Sequence, residues 1–299
     1  MVDVVPLEAR HLPALEELVA AHLRLARFPF DASPRVLRQR VARVLGSDGL
    51  FAERRRWMVW AALDHQHLVG AARAYAVDRQ SGQAAHQDDQ VPADIGWLLF
   101  EPDRPAAGAA LLERALDWIG EDPEGIQAFE LAHGLGWGGG IPTAWPHVEE
   151  AITRGGFVCQ ATSYLMWGAD TAGFSGAVHH DAQIALEVTP SGAWQFWAHL
   201  DGHRVGELLV KPMDSPVGWQ PTWRGGRWID WVHVEEAHRQ RGIAAALFGA
   251  LAEQARQSGV RRLAAATRYA AAIRLNERLG LASRLALRRY ALGNPGRRS

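Results

Sequence analysis

Apolar and polar residues alternate along 57–63 and 68–77, with the polar Asp64-His65-Gln66-His67 between them, and the pattern returns at 194–200 and 204–210. Alternation with period two around a short polar turn predicts two β-hairpins. Near-continuous apolar runs at 95–100 and 228–234 read as buried strands. Each leads through a Gly-containing turn into an Ala- and Leu-rich stretch with helical spacing, 106–119 and 243–257. Gly120 and Gly259 stand where those helices should stop. Further strands are predicted at 126–131 and 260–265, then helices at about 145–154 and 270–279, then one closing strand in each half. Helical spacing also marks 13–26 and 34–45, ahead of the first hairpin. The predicted unit is β-β-β-α-β-α-β, with two extra helices in front of its first copy. Strand, helix and strand in succession make a parallel crossover. The expected fold class is α/β (α+β), in which each unit is a mixed, mostly antiparallel sheet with one parallel crossover and flanking helices.

The two halves also match residue by residue. Trp57-Met-Val-Trp60-Ala61 echoes Trp194-Gln-Phe-Trp197-Ala198, 137 positions on. Ile95-Gly-Trp97 echoes Ile229-Asp-Trp231 at an offset of 134, which persists through Glu101 and Glu235, Gly108 and Gly242, and Ala110 and Ala244. Gly156-Phe157 matches Gly280-Leu281 at an offset of 124, and the lost residues fall where the first half carries the glycine-rich stretch 133–140. Landmarks in one order, with offset changes confined to loops, predict a tandem duplication. Between 170 and 193 the chain is broken by Gly173, Gly176, Pro190 and Gly192, so the second copy should lack the two front helices. The expected domains are 1–168 and 182–299, joined by a linker at 169–181.

Composition narrows the function classes. Hydrophobic residues make up 48% and charged residues 22%, the balance of a folded globular chain. A net charge of −1 gives no support to nucleic-acid binding through bulk positive charge. A single cysteine, Cys159, excludes an intrachain disulfide framework and a multi-cysteine zinc site. The longest apolar run, 243–252, is far short of the ~20 residues a membrane helix needs, and the N-terminus carries no signal pattern. A cytoplasmic protein without membrane attachment is expected. Thirteen tryptophans point to large apolar cores or aromatic-lined clefts.

Candidate chemistry concentrates at 229–248, where a buried strand runs into a turn and the turn opens a helix. The first amides of a helix have no internal partner and sit at the positive end of its dipole. Gly242 permits close backbone approach, Ala244 keeps the wall thin, and Arg239 and Arg241 add positive charge. Such a site suits a pyrophosphate.

The pattern Arg239-x-x-Gly242-x-Ala244 after a strand resembles the acyl-CoA loop of the GNAT superfamily of N-acyltransferases, and Leu279-Gly280-Leu281 resembles that family's Leu-Gly-Phe-like ending. The resemblance implies two tandem GNAT-like units and covers nearly all of both halves. It implies that Arg239 and the stretch Gln240, Arg241, Gly242, Ile243, Ala244 and Ala245 bind the CoA pyrophosphate. It implies that Val232, His233 and Val234 pair through their main chain with the pantetheine arm, and that an amide near Val234 polarises the thioester carbonyl. The first copy departs from the pattern. Pro105 stands where Arg239 does, and Ala106 and Ala107 replace Gln240 and Arg241, so weak or absent CoA binding is expected there.

Acyl transfer to an amine needs a base for the amine proton. Asp230 and His233 are the candidates, and Asp230 corresponds to Gly96, so the charge accompanies the intact loop. A bulge in this strand would alter which side each residue faces. The tyrosine that many family members use to protonate the leaving thiolate is replaced by Asn276, an expected neighbour of the cofactor's sulfur. The corresponding first-copy residue is Ile152, and Tyr269 lies two turns before Asn276. His65, His67, His179 and His180 read as solvated rather than metal-binding. The stretch 134–140 reads as a loop over a cleft, with Trp137 and Trp145 near substrate, and the tail 294–299 as frayed.

The sequence thus implies transfer of an acetyl or other short acyl group from acyl-CoA, acetyl-CoA above all, to a primary amine of a small molecule or peptide. No metal, nucleic acid or membrane partner is expected. A monomer is the simpler expectation, with a dimer as the alternative. The rival readings are a catalytically silent acyl-CoA or small-molecule binder, and a tandem-unit transferase of the aminoacyl or peptidyl kind.

Overall fold

The computed structural model describes residues 2–28, 33–44, 55–77, 93–120, 125–129, 139–168, 181–213 and 223–293. Almost all of the expected linker, Trp137, His179, His180 and the tail 294–299 lie outside the described residues. Among the described residues no helix is long and apolar enough to cross a membrane.

The chain divides into two compact units. In the first, β1 (Val2–Pro6) leads through a 3-10 turn into α1 (Leu12–Ala26) and α2 (Pro34–Val44). Then follow β2 (Arg55–Asp64), β3 (His67–Val77), β4 (Ala93–Phe100), α3 (Pro105–Ile119), the short β5 (Ile126–Ala128) and β6 (Ile141–Pro142), and α4 (Pro146–Arg154). The strand β7 (Phe157–Gly168) follows. The second unit continues with β8 (Gln183–Val188), β9 (Trp194–Leu200), β10 (His203–Pro212), β11 (Gly226–Val234), α5 (Ile243–Gln257), β12 (Arg262–Thr267), α6 (Ala270–Arg278) and β13 (Ser283–Leu292). Both hairpins, both buried strands and the helices after them fall where the hydrophobic pattern puts them. β8 passes to β9 without a helix, as the broken segment before Trp194 implies.

The closing strands differ from expectation. The end of β7, from Tyr164 to Gly168, pairs antiparallel with β12 of the second unit. β13 pairs antiparallel with β5 and β6 of the first, through Tyr290, Ala291, Leu287 and Arg288. The first unit's strand order is β1-β2-β3-β4-β5-β13 and the second's is β7-β12-β11-β10-β9-β8. Each unit is therefore closed by the strand from the other half, and the units are discontinuous in sequence. Hydrophobic pattern identifies a strand but not its partner. Side chains hold β13 in its foreign sheet. The Tyr290 hydroxyl donates to Glu149 Oε1 of α4 at 2.6 Å, and Arg288 pairs with the same carboxylate. Burial and this carboxylate raise the Tyr290 pKa.

One face of the second sheet is packed by α5. Phe196, Leu208 and Val210 meet Leu247, Phe248 and Leu251 in a core that also takes in Leu279 and Leu281. Truncating one of these leucines to alanine would cost about 2–5 kcal/mol. α5 ends in a Schellman motif, with Val260 N–H donating to Ala255 C=O at 2.8 Å and Gly259 N–H to Arg256 C=O at 3.2 Å. Gly259 has φ +66°, the left-handed conformation this stop requires. α6 ends the same way through Gly280, which carries the buried Leu281 into the core.

Candidate active site

β11 lies between β10 and β12 but does not stay with both. Its parallel pairing with β12 covers only Gly226 to Ile229, opposite Arg262 to Ala265. β12 then continues to Thr267 against β7, and β11 to Val234 against β10. A cleft opens between them after Ile229. At this point β11 also bulges, because Leu209 opposes Trp231 and Val210 opposes Ile229, leaving Asp230 without a counterpart. The cleft edge follows from hydrogen-bond alternation. Glu235 N–H donates to Val205 C=O at 2.9 Å, so Val234 and Val232, opposite Gly206 and Leu208, fall in non-bonded pairs. Their N–H and C=O groups turn away from β10, toward the side β12 has left.

The chain beyond Val234 makes a 3-10 turn at Glu236–His238. Arg239 is extended, and its Nε donates back to the Val234 carbonyl at 3.0 Å, closing the loop on itself. Gln240 (φ +63°) and Gly242 (φ +83°) are both left-handed, on either side of Arg241. Alternating backbone handedness of this kind curves successive N–H groups toward a common centre. The first bond inside α5 runs from Ala246 N–H to Gly242 C=O. Among the described residues, the N–H groups of Gln240, Arg241, Gly242, Ile243, Ala244 and Ala245 have no acceptor. Six unpaired donors at the positive end of a 15-residue helix form an anion cradle.

The candidate side chains divide into two sets. Lys211 Nζ lies 2.7 Å from Asp230 Oδ2, so that carboxylate is held in an ion pair. Trp231 and His233 lie on the opposite face of β11 from the core, where Trp231 is 53% exposed. Their rings stack at 6.2 Å and 12°, and Trp231 Nε1 donates to Glu207 Oε1 at 2.8 Å. Asn276 is only 2% exposed, and its Nδ2 lies 3.8 Å from Met166 Sδ. It belongs to the buried side of α6, and Tyr269 stands exposed at the start of that helix. Glu207 and Lys211 are the features that sequence reasoning missed. Both sit on a strand whose alternation showed only an outward face.

The first unit carries the same frame with a different filling. Gly96 is the extra residue of β4, and β4 pairs with β5 only as far as Ile95. A Cβ on Gly96 would meet the Tyr75 ring at 2.4 Å, so no side chain fits there. α3 begins at Pro105, the counterpart of Arg239, whereas α5 begins four residues later in the repeat, at Ile243. The counterpart of the anion loop is thus wound into helix, and Ala107 N–H already donates to Arg104 C=O at 2.9 Å. Gly108 packs on Phe100, whose ring lies 2.4 Å from where a Cβ would be. Phe100 is the counterpart of Val234, and its main chain faces the His22 and His147 imidazoles.

Residues 165–281 match the acetyltransferase (GNAT) family. No curated protein matches the sequence. Among solved structures, the chain is similar to the tandem GNAT protein from the clavulanic acid biosynthesis pathway. That likeness has a TM-score of 0.61 at 16% identity, over 98% of this chain and 99% of the other. It is similar to a GCN5-related N-acetyltransferase from Sphaerobacter thermophilus, with TM-score 0.62 at 15% identity over 97% and 94%. It is also similar to the glucosamine N-acetyltransferase region of a fungal multi-domain GH3 β-N-acetylglucosaminidase, with TM-score 0.67 at 12% identity over 97% and 38%. At these identities the likeness establishes the fold. The family match lies at 165–281, and the whole chain has the tandem GNAT fold.

Proposed function

We propose that the second unit binds an acyl-CoA, acetyl-CoA in the simplest case, and transfers its acyl group to a primary amine of a small molecule or peptide. The observation that carries this reading is the run of unpaired amides from Gln240 to Ala245 next to the main chain of Val232 and the N–H of Val234, which no neighbouring strand pairs. The amides match a pyrophosphate, and Arg241 adds a cation beside them. The cleft edge matches the amide-bearing pantetheine arm. The acyl-CoA supplies the activated thioester carbonyl.

The attacking amine forms the new C–N bond while the carbonyl oxygen takes up negative charge. The Val234 N–H is the donor placed to stabilise that oxyanion. Collapse breaks the C–S bond and releases the thiolate. The amine proton goes to His233 rather than Asp230, because Asp230 is committed to Lys211 and the His233 imidazole stands on the open face. The coiled loop of the first unit, with Pro105 at its helix start, argues against CoA binding there.

Calorimetric titration with acetyl-CoA tests the reading. Arg241→Glu and Gly242→Glu should each weaken binding at least ~100-fold, because a carboxylate in the cradle repels the pyrophosphate. Thiol release against a panel of amines then separates a transferase from a silent binder. Unchanged affinity in both variants overturns the assignment.

A further inference from the structure

Of the described tryptophans only Trp231 is exposed, at 53%. It lies on β11 two residues before His233, on the same outward face. The first unit has the same frame without this opening. Trp97, the counterpart of Trp231, is fully buried, and so is Leu99, the counterpart of His233. An open indole, an imidazole and an anion cradle therefore occur together in the second copy of the repeat, and the described residues of the first copy carry none of them. A large apolar ring left in water beside a reactive group is an informative exposure.

The indole is also held in place. Its Nε1 donates to Glu207 Oε1 at 2.8 Å, and Glu207, directly opposite His233 in the β10–β11 register, is paired in turn with Arg204. The polar edge of Trp231 is thus fixed to the sheet, and its ring runs within 12° of the His233 imidazole, with centroids 6.2 Å apart. A ring fixed before it meets a ligand loses little freedom on binding.

Its neighbours decide what it can hold. Every Arg, Lys, Asp and Glu of β10 and β11 is engaged already: Arg204 with Glu207, Lys211 with Asp230, and Arg227 with the Gly192 carbonyl and the Trp194 ring. Trp197, opposite Glu207 on the same face, has the Arg204 guanidinium 3.3 Å over its ring. These two strands hold no unpaired charge for a second ionic group and no uncommitted carboxylate for the hydroxyls of a sugar. The recognition surface that remains on them is the π face of Trp231. An aromatic ring gains most there, by offset stacking, and an unbranched alkyl chain covers less of it.

We propose that Trp231 is the platform for the acceptor's body, and that the acceptor is a primary amine on a short arm from an aromatic ring. The ring stacks on the indole and the arm carries the nitrogen to His233. This rests on the acyl-transfer reading of the second unit.

The test uses the full-length protein and three primary amines with different bodies, 2-phenylethylamine, butylamine and glucosamine. Isothermal titration in the presence of free coenzyme A, which has no acyl group to give, reads binding apart from turnover. 2-Phenylethylamine should bind saturably at millimolar concentration, and the other two at least about fivefold more weakly. Trp231→Ala should weaken 2-phenylethylamine about fivefold, and Trp231→Phe should retain its affinity to within about twofold. Neither variant should alter the affinity for acetyl-CoA, which also reports an intact fold. Thiol release from acetyl-CoA should show the same ring preference as a lower KM, lost in Trp231→Ala with kcat changed less than about twofold. Equal binding of the three amines, tighter binding of glucosamine or indifference to Trp231→Ala overturns the proposal. Thiol release with all three amines at equal KM also overturns it and leaves acyl transfer standing. Ring-selective binding with no thiol release from any amine overturns acyl transfer and leaves the ring site at Trp231 standing.

Discussion

Lys211 and Asp230 form an ion pair of 2.7 Å at the bulge where β11 parts from β12. The bulge carries the one acidic side chain of β11 into contact with a cation on the neighbouring strand. Asp230→Asn should lower kcat by less than about tenfold, and His233→Gln by about 100-fold or more at neutral pH, as loss of a general base does. Steady-state thiol release with a saturating amine measures both. A larger loss for Asp230→Asn than for His233→Gln would reverse the assignment.

Gly242 and Gly108 occupy one position of the repeat for different reasons, so the same change should act differently at each. Gly242→Ala forces a side chain into φ +83°, a strain of about 1–2 kcal/mol, and should weaken acetyl-CoA binding about tenfold. Gly108→Ala drives a methyl group into the Phe100 ring and should cost about 1–3 kcal/mol in stability without changing that affinity. Calorimetric titration and urea unfolding of the two variants separate the effects.

The His22 imidazole sets an acid limit on stability. Burial lowers its pKa from 6.5 to about 4, helped by the neighbouring His147, against the raising effect of the Leu18 carbonyl. Between those values the unfolded chain binds a proton that the folded one refuses. Stability from this group is therefore complete above pH 6.5 and falls as the pH drops toward 4, by up to about 3 kcal/mol. Urea unfolding at several pH values should show a shallower acid limb in His22→Gln than in the unaltered protein.

Removing β13 residues should damage the unit that is remote in sequence. A chain ended at Leu285 keeps every residue assigned to the second unit and loses the strand bonded to β5 and β6. Amides of Gln127, Ala128 and Ile141 should lose hydrogen-exchange protection, while those of β9 and β10 keep theirs. Equal loss in both units would show that β13 stabilises them without distinction.

Much of this was legible in the sequence, and the failures have physical causes. The helix 243–257, the hairpin around Asp64 and the direct passage from β8 to β9 follow from periodicity and from Gly and Pro placement. The anion cradle was legible because Gly242 and Ala244 mark a helix start. β1 and β8 escaped notice because they are edge strands, and β8 is exposed along nearly its whole length, so no alternation betrays it. The pairing of Lys211 with Asp230 depends on strand register, which no local pattern encodes.

The strand exchange has a bearing on how the protein comes into being. Translation delivers the second unit, through Leu285, before it delivers the part of β13 that pairs with β5 and β6, so the first unit waits for that segment. Until then β5 and β6 stand without their hydrogen-bonding neighbour. A nascent chain that has not yet reached residue 286 thus carries a first unit without β13, and the interval is set by elongation speed.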